Sequence, residues 1–110
     1  MSSARFDDTI HAPLRLRICA MLAEADAVEF ATLRDHLDVA DSVLSKHLKT
    51  LVEAGYVRLD KPTGGGGKMR TWAKLTRLGR QALEGHLSAL REMVEAARAG
   101  VPSSAQIVTE

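Results

Sequence analysis

The sequence has few of the features that mark secreted, membrane-spanning or disulfide-stabilised proteins. Its 110 residues, enough for one domain, include a single cysteine, Cys19, so no disulfide can form within the chain. The longest apolar run is residues 18–23, whereas a helix needs about 20 apolar residues to cross a bilayer. Acidic residues stand near the N-terminus, where a secretory signal needs an apolar stretch. These absences favour a cytoplasmic protein.

Residue patterns for catalysis or metal binding are also missing. Ser45 and His47 lie two positions apart in a predicted helix, so they cannot face each other as nucleophile and base. No histidine pair has the close spacing that builds a tetrahedral site within one element. We interpret these histidines as scattered polar residues: His11, His36, His47 and His86. We predict no enzymatic activity, no metal site and no cofactor, with Cys19 an inert buried thiol. A metal site shared across a dimer stays open.

Glycine is concentrated in the segment KPTGGGGKMRTW, residues 61–72. A Walker phosphate loop would need glycine where Pro62 stands and a hydroxyl residue where Met69 follows Lys68. A linker is disfavoured because neither flanking part makes a comfortable domain alone. The flanks YVRLDK and KMRTWAKLT alternate with period two, which is typical of half-buried strands. The glycine run therefore predicts the tip of a β-hairpin.

Positive charge is concentrated around the same hairpin. The net charge is only +1, and residues 1–60 and 81–110 both contain more acids than bases. Residues 61–80, in contrast, carry six lysines and arginines and no acid. A local field of one sign attracts a partner of the opposite sign. Solvated strands with basic tips are the alternative reading of this charge.

Apolar spacing predicts helices on both sides of the hairpin. A first helix begins near Pro13, because proline is tolerated in a first turn, and its apolar residues occupy more than one face. The short extended segment AVEF precedes a second helix over residues 30–37, with Thr32 as its early cap. After the hairpin, Thr76 can cap a long helix that runs to about Ala99.

The third helix, DSVLSKHLKTLVEAG, has an apolar and a polar face. At 100° per residue, one side carries Leu44, Leu48, Leu51 and Val52. We expect Asp41 to cap its start and Gly55 to end it in the left-handed conformation. The other side carries serines, lysines, a threonine and one acid: Ser42, Ser45, Lys46, Lys49, Thr50 and Glu53. An amphipathic helix usually indicates only one buried face and one solvent-exposed face. The exposed face of this helix, however, carries hydroxyl groups and lysines with a single acid, a composition that also suits contact with DNA.

The long C-terminal helix carries an apolar seam with 4-3-4-3 spacing, typical of coiled-coil contacts. The seam consists of Leu83, Leu87, Leu90, Val94 and Ala97. A helix of about 24 residues is about 36 Å long, more than one small core can cover. We therefore predict that the seam, together with Leu14, forms a dimer interface. Packing of the seam on the first helix of the same chain is the alternative.

The order of elements resembles small ArsR/MarR-like winged helix-turn-helix regulators of prokaryotes. Three stretches within residues 10–95 carry the resemblance: IHAPLRLRICAMLAEAD, FATLRDHLDVADSVLSKHLKTLVEAGYVRL and TWAKLTRLGRQAL. It implies a mainly α fold with a small β-hairpin wing (α+β). The implied division is a winged helix-turn-helix over 1–75 with an arm over 1–10, a dimerisation helix over 76–100, and a flexible tail over 101–110.

This chain departs from the family pattern at three places. Ala40 stands where members often have serine, so Asp41 must cap the helix or the turn must shift. The wing tip at 64–67 presents only glycine where many members have arginine. Arg77 replaces a common acid and opposes the helix dipole mildly. The first two departures concern the register of the helix and the contacts of the wing.

The resemblance further implies a homodimeric regulator, expected to be a repressor, on a pseudo-palindromic operator. Recognition helix 41–54 would enter the major groove, while wing 61–70 would lie on the backbone or in the minor groove. The expected DNA contacts are Ser42, Ser45, Lys46, Lys49, Thr50, Lys61, Lys68 and Arg70. Two recognition helices would then lie about 34 Å apart, one turn of duplex.

Two alternatives stay open. Acids at Asp35, Asp38 and Asp41 would repel phosphate, which favours a winged-helix module that binds protein instead of DNA. The same fold could also serve a regulator that responds to a metal or to an unidentified small-molecule effector. A groove between the first helix, the wing and the long helix could admit such an effector.

Overall fold

The computed structural model describes residues 3–61 and 70–108, with only the backbone beyond residue 100. Five helices and three strands follow one another in this part of the chain. They are α1 (Asp8–His11), α2 (Pro13–Ala23), β1 (Val28–Glu29), α3 (Phe30–Leu37), α4 (Asp41–Glu53), β2 (Val57–Asp60), β3 (Trp72–Leu75) and α5 (Arg77–Val108). The predicted mainly α fold with a β-hairpin is confirmed, and the short helix α1 is an addition to it.

The three strands form one antiparallel sheet in the order β1-β3-β2. Val57 pairs with Leu75 and Asp60 with Trp72, which confirms the predicted hairpin. Strand β1, from the extended segment AVEF, pairs with the free edge of β3. Alternation places Ala73 inside, with 1% of its surface exposed. The predicted glycine tip lies outside the described residues.

One core unites the helices with this sheet. Helix α2 supplies its centre through Ile18 and Leu22, while Leu16 and Met21 pack beside them as half-buried residues. Cys19 of α2 is buried as well, and every other element except β1 contributes buried apolar side chains: Ile10, Leu33, Leu37, Leu44, Leu48, Leu51, Val57, Ala73 and Leu83. Each fully buried leucine or isoleucine contributes about 1.5–3 kcal/mol. The large share of α4 in this core fixes its orientation.

The two ends of α4 use different devices, and only one was predicted correctly. At the C-terminus Gly55 has φ 82, and its N–H donates to the carbonyl of Val52 at 2.9 Å. This left-handed end confirms the prediction. At the N-terminus the cap position is Ala40, without a side-chain hydrogen bond. The prediction of an Asp41 cap is wrong, because Asp41 is already the first helical residue.

Helix α3 likewise begins without the predicted cap. Its N-cap position is Glu29, which makes no side-chain cap hydrogen bond. Thr32 therefore lies inside the helix, not before it, and the expected Thr32 cap is wrong. The helix ends at Leu37, and the next residue, Asp38, adopts the left-handed conformation with φ 55. This conformation turns the chain from α3 into α4 within three residues, Asp38 to Ala40.

Thr76 joins the start of α5 to the end of α4. Its Oγ1 accepts the N–H of Gly79 at 2.9 Å, which confirms the predicted cap, and it donates to the carbonyl of Gly55 at 2.6 Å. A side chain at Gly79 would overlap the carbonyl oxygen of Tyr56. Helix α5 then continues to Val108, beyond the predicted end near residue 99. The flexibility of the tail over 101–110 stays a prediction.

The N-terminal arm is docked on α5. The backbone N–H of Arg5 donates to the carbonyl of Gly85 at 2.9 Å. Asp7 caps α1 by accepting the N–H of Ile10 at 2.9 Å, and its other carboxylate oxygen accepts the hydroxyl of Tyr56 at 2.6 Å. Asp7 thereby ties the arm to the segment between α4 and β2.

A buried histidine completes this docking. His86 on α5 has no exposed surface, and its Nδ1 accepts the backbone N–H of Asp7 at 3.0 Å. Since that nitrogen accepts, the ring is neutral with its proton on Nε2, which lies 3.2 Å from Nδ1 of His11. Burial first, and then His11, lowers the pKa of His86. The interpretation of these two histidines as scattered polar residues is wrong.

Candidate nucleic-acid interface

The polar face of α4 lies open to solvent along its length. Ser42, Ser45, Lys46 and Lys49 are all exposed, as the helical projection predicts. Thr50 is half-buried, and its hydroxyl donates to the carbonyl of Lys46 at 3.3 Å. Four of the five predicted contacts on this helix are therefore free to meet a partner, while Thr50 is bonded to its own helix. Serine hydroxyls and lysine ammonium groups can bond both to phosphates and to base edges.

An acidic cluster stands at the start of α4 and is partly compensated by Arg34. This arginine lies 3.0 Å from Asp35 and 3.2 Å from Asp41. Hydrogen bonds to the two carboxylates raise the pKa of Arg34. Arg34 was not among the predicted site residues, because it lies on the preceding helix, seven positions before Asp41. Its charge weakens the repulsion that these acids would exert on phosphate.

The wing contributes one free cation and one paired cation within the described residues. Lys61 is exposed after β2. Arg70 instead lies 3.5 Å from Glu29 of β1, although 65% of its side chain remains exposed. Ion pairs with one exposed partner contribute little to stability, so Arg70 can exchange Glu29 for another anion. Lys68, the third predicted wing contact, lies outside the described residues.

A half-open groove of about 250 Å³ separates α4 from the wing. Its apolar lining includes Phe30, Leu48 and Leu59, and Lys49 and Lys61 stand at it. Val52 also lines this groove and is 38% exposed. The placement of Val52 on the buried side of α4 is therefore wrong, since that position faces the space beside β2.

His47, at the margin of the apolar face, is fixed by a residue that sequence reasoning missed. The guanidinium of Arg15 donates to Nδ1 of His47 at 3.1 Å and to the carbonyl of Thr9. Burial first, and then the charges of Arg15 and Lys46, lower the pKa of His47. Arg15 on α2 thus braces α4. No local signal indicated this contact, because the two residues are 32 positions apart.

The predicted dimer seam divides into a buried and an exposed part. Leu83 is 4% exposed and belongs to the core of its own chain, so its assignment to a dimer interface is wrong. Leu14 and Leu87 are half-buried against that core. Leu90 is half-buried, Val94 is 53% exposed, and Ala97 is exposed. The alternative of packing within the chain therefore holds for the start of the seam.

A larger cavity of about 640 Å³ lies between the N-terminal arm and α5. Arg5, Asp7, Tyr56, Gln81 and Glu84 line it. The pKa of Tyr56 is raised to about 12, mainly because its hydroxyl donates a hydrogen bond to Asp7 and secondly because the side chain is partly buried. The phenol therefore stays protonated and keeps donating. An effector groove between the first helix, the wing and the long helix stays a prediction.

Other properties of the described part of the chain that bear on function are the reactivity of its cysteine, the grouping of possible metal ligands and the apolar character of its helices. Cys19 is fully buried, as predicted, and burial raises the pKa of its thiol to about 12, which disfavours the reactive thiolate. Among residues 3–61 and 70–108, no three His, Cys, Asp or Glu side chains are grouped to hold a metal ion. Over the same residues, no helix has the length and apolar character to cross a membrane.

Sequence comparison assigns most of the chain to a known family. Residues 14–94 match the model of a winged helix DNA-binding domain. An uncharacterised protein of Methanocaldococcus jannaschii is 34% identical over 74 residues, which make up 67% of this chain and 79% of that protein. The family match covers α2 through β3 and the first part of α5, up to residue 94, and leaves out α1.

Solved structures share the fold. A transcriptional regulator homologue from Pyrococcus horikoshii OT3 superposes with a TM-score of 0.74 at 24% identity, over 80% of this chain and 86% of that one. A MarR-family transcriptional regulator from Enterococcus faecalis V583 gives 0.66 at 23% identity, over 86% and 84%. The resemblance seen in the sequence is confirmed. The chain belongs to the winged helix DNA-binding domain family and has the fold of MarR-like transcriptional regulators.

Proposed function

We propose that the protein is a homodimeric, sequence-specific repressor that binds double-stranded DNA and has no enzymatic activity. The observation that carries the proposal is the polar face of α4, where Ser42, Ser45, Lys46 and Lys49 are exposed. These side chains serve no part of the core, and they lie on the helix that winged-helix proteins insert into the major groove. Lysine can contact guanine there, and serine accepts several bases.

The wing would hold the neighbouring backbone. Lys61 is exposed, and Arg70 can leave Glu29 for a phosphate because the arginine side chain is 65% exposed. Lys68 is proposed as a third contact from its position in the sequence. Phosphate contacts set register and orientation, whereas contacts from α4 would select the sequence.

Dimerisation is supported by the outer part of α5. Val94 and Met93 are 53% and 56% exposed, and neighbouring Leu90 and Ala97 continue the seam. Covering apolar surface of this kind with a second copy removes it from water, which favours association. The resulting two-fold symmetry would present two α4 helices to a pseudo-palindromic operator about one turn of duplex apart.

Removing two lysines from α4 tests the proposal. Lys46→Ala with Lys49→Ala should abolish retention of a selected duplex in a gel-shift assay while the dimer persists in sedimentation. The control, Arg91→Ala with Arg98→Ala, removes the same charge from exposed positions on α5 and should retain DNA. Equal DNA affinity of the lysine variant and the wild type would refute the assignment of α4.

Salt dependence separates DNA binding from the protein-binding alternative. If each protomer neutralises about three or four phosphates, log affinity should fall with log salt at a slope of roughly −5 to −7. The measurement is fluorescence anisotropy of a random duplex between low and moderate salt. Absence of binding even at low salt would favour the protein partner suggested by the acids at the start of α4.

A further inference from the structure

Two apolar side chains interrupt the otherwise polar exposed surface of α4. Val43 is 40% exposed and Val52 is 38% exposed. They lie near opposite ends of the helix, with Val43 in its first turn and Val52 in its last. Val52 has a place in the fold, because it lines the groove beside Leu59 of the wing.

Val43, unlike Val52, has no packing role in the described fold that would explain a valine at this position. Its side chain is outside the apolar core, which on this helix consists of Leu44, Leu48 and Leu51. A β-branched residue loses side-chain freedom in a helix, so at an exposed position alanine, lysine or glutamate would favour the helix more than valine does. Isolated exposed apolar residues are common, so the position of Val43 must carry the argument.

That position is the first turn of the proposed recognition helix. The N-terminal residues of such helices meet base edges in the major groove. Val43 stands directly after Ser42 and three residues before Lys46, and both neighbours are exposed. Residues three apart are neighbours on a helix surface, with about 5–6 Å between their Cβ atoms, so Val43 and Lys46 can face neighbouring bases.

The C5-methyl group of thymine is the apolar group that base pairs present in the major groove. A valine side chain offers two methyl groups and no hydrogen-bonding atom, so it gains from this contact and from no other base edge. We propose that Val43 selects thymine by packing on its methyl group, next to the base that Lys46 contacts. This inference rests on the proposed DNA binding and adds a base preference to it.

Replacement of thymine by deoxyuridine removes only the methyl group and tests the contact directly. A duplex is first selected from a random pool with the wild-type protein, and each thymine is then replaced singly by deoxyuridine. At one thymine per half-site, affinity of the wild type should fall about fourfold, the equivalent of one methylene-sized apolar contact at about 0.8 kcal/mol. With Val43→Ala, the same replacement should leave affinity unchanged.

Val52→Ala is the matched control, since it shortens a valine of nearly equal exposure at the other end of α4. This variant should show the same fourfold loss as the wild type at that thymine. The comparison is a double-mutant cycle between a side chain and a methyl group, and circular dichroism confirms that each variant is folded.

The possible failures are distinguishable. Binding of a selected duplex with no sensitivity to any thymine methyl, or with equal sensitivity in Val43→Ala, would overturn the role of Val43 and leave DNA binding intact. Failure of the wild type to retain any duplex at low salt would overturn the proposed function and this inference together.

Discussion

Helices α4 and α5 are both amphipathic, but they leave opposite kinds of surface uncovered. Helix α4 buries its three core leucines and exposes serines and lysines. Helix α5 buries Leu83 and His86 in its first half and exposes Met93 and Val94 in its second. A polar surface with cations suits a charged partner, whereas an uncovered apolar surface suits an apolar one. The contrast separates the proposed DNA contact from the proposed contact between protomers.

The largest expected effect comes from the buried side of α4. Leu48 is 1% exposed, so Leu48→Ala should lower the free energy of unfolding by about 2–5 kcal/mol through lost burial and a cavity. Lys46→Ala, two residues away on the exposed side, should change it by less than about 0.5 kcal/mol. Urea denaturation measures both. Similar losses for the two variants would contradict the assignment of the two faces.

The two ends of α5 should respond differently to the same glycine substitution. Gly79→Ala should destabilise the fold by about 1–3 kcal/mol, because the new Cβ overlaps the carbonyl oxygen of Tyr56. A Cβ at Gly100 meets nothing within 4 Å, so Gly100→Ala should be neutral or slightly stabilising through helix propensity. Thermal unfolding distinguishes the two; a destabilised Gly100→Ala protein would show that this end of the helix is packed.

The exposed seam can be broken without unfolding the chain. Val94→Glu should weaken dimerisation by about 1–2 kcal/mol, roughly 5- to 30-fold in the dissociation constant, because a carboxylate loses water in the interface. Val94→Leu, which keeps an apolar side chain, should leave the dimer intact. Analytical ultracentrifugation across a dilution series measures the difference. A wild-type protein that stays monomeric at all concentrations would exclude the seam as an interface.

The smallest effect concerns pH and the buried end of α5. Because the pKa of His86 is lowered in the folded chain, the unfolded chain binds its proton more readily. The contribution of neutral His86 to the free energy of unfolding is therefore fully present above the ordinary histidine pKa of about 6.5. It declines as pH falls from there toward the lower pKa of His86 in the folded chain. His86→Asn should reduce this decline in urea denaturation curves recorded at several pH values. His47 contributes in the same direction, since its pKa is also lowered.

Local patterns predicted the elements that local interactions determine. Period-two alternation identified β2 and β3, helical spacing identified the buried face of α4, and the glycine at position 55 identified its end. These signals succeed because a strand or helix repeats its contacts every few residues. The polar face of α4, which forms most of the candidate site, was predictable for the same reason.

Contacts between distant residues were not predictable in this way. Asp7 meets His86 across 79 positions and Tyr56 across 49, so neither the arm nor its buried histidine has a local signature. Asp41 looked like a cap, but it pairs with Arg34 of the preceding helix. Leu83 fits the heptad spacing of the seam, yet the core of its own chain reaches that far along α5. Spacing identifies an apolar face and leaves its partner undetermined.

The central claim is that the exposed face of α4, and not the exposed end of α5, meets DNA. Titration of the ¹⁵N-labelled protein with a selected duplex, followed by amide NMR, tests it directly. The account predicts the largest shift changes at residues 42–50, with residues 91–99 of α5 nearly unchanged. Changes centred on residues 91–99, or none anywhere at low salt, would contradict it.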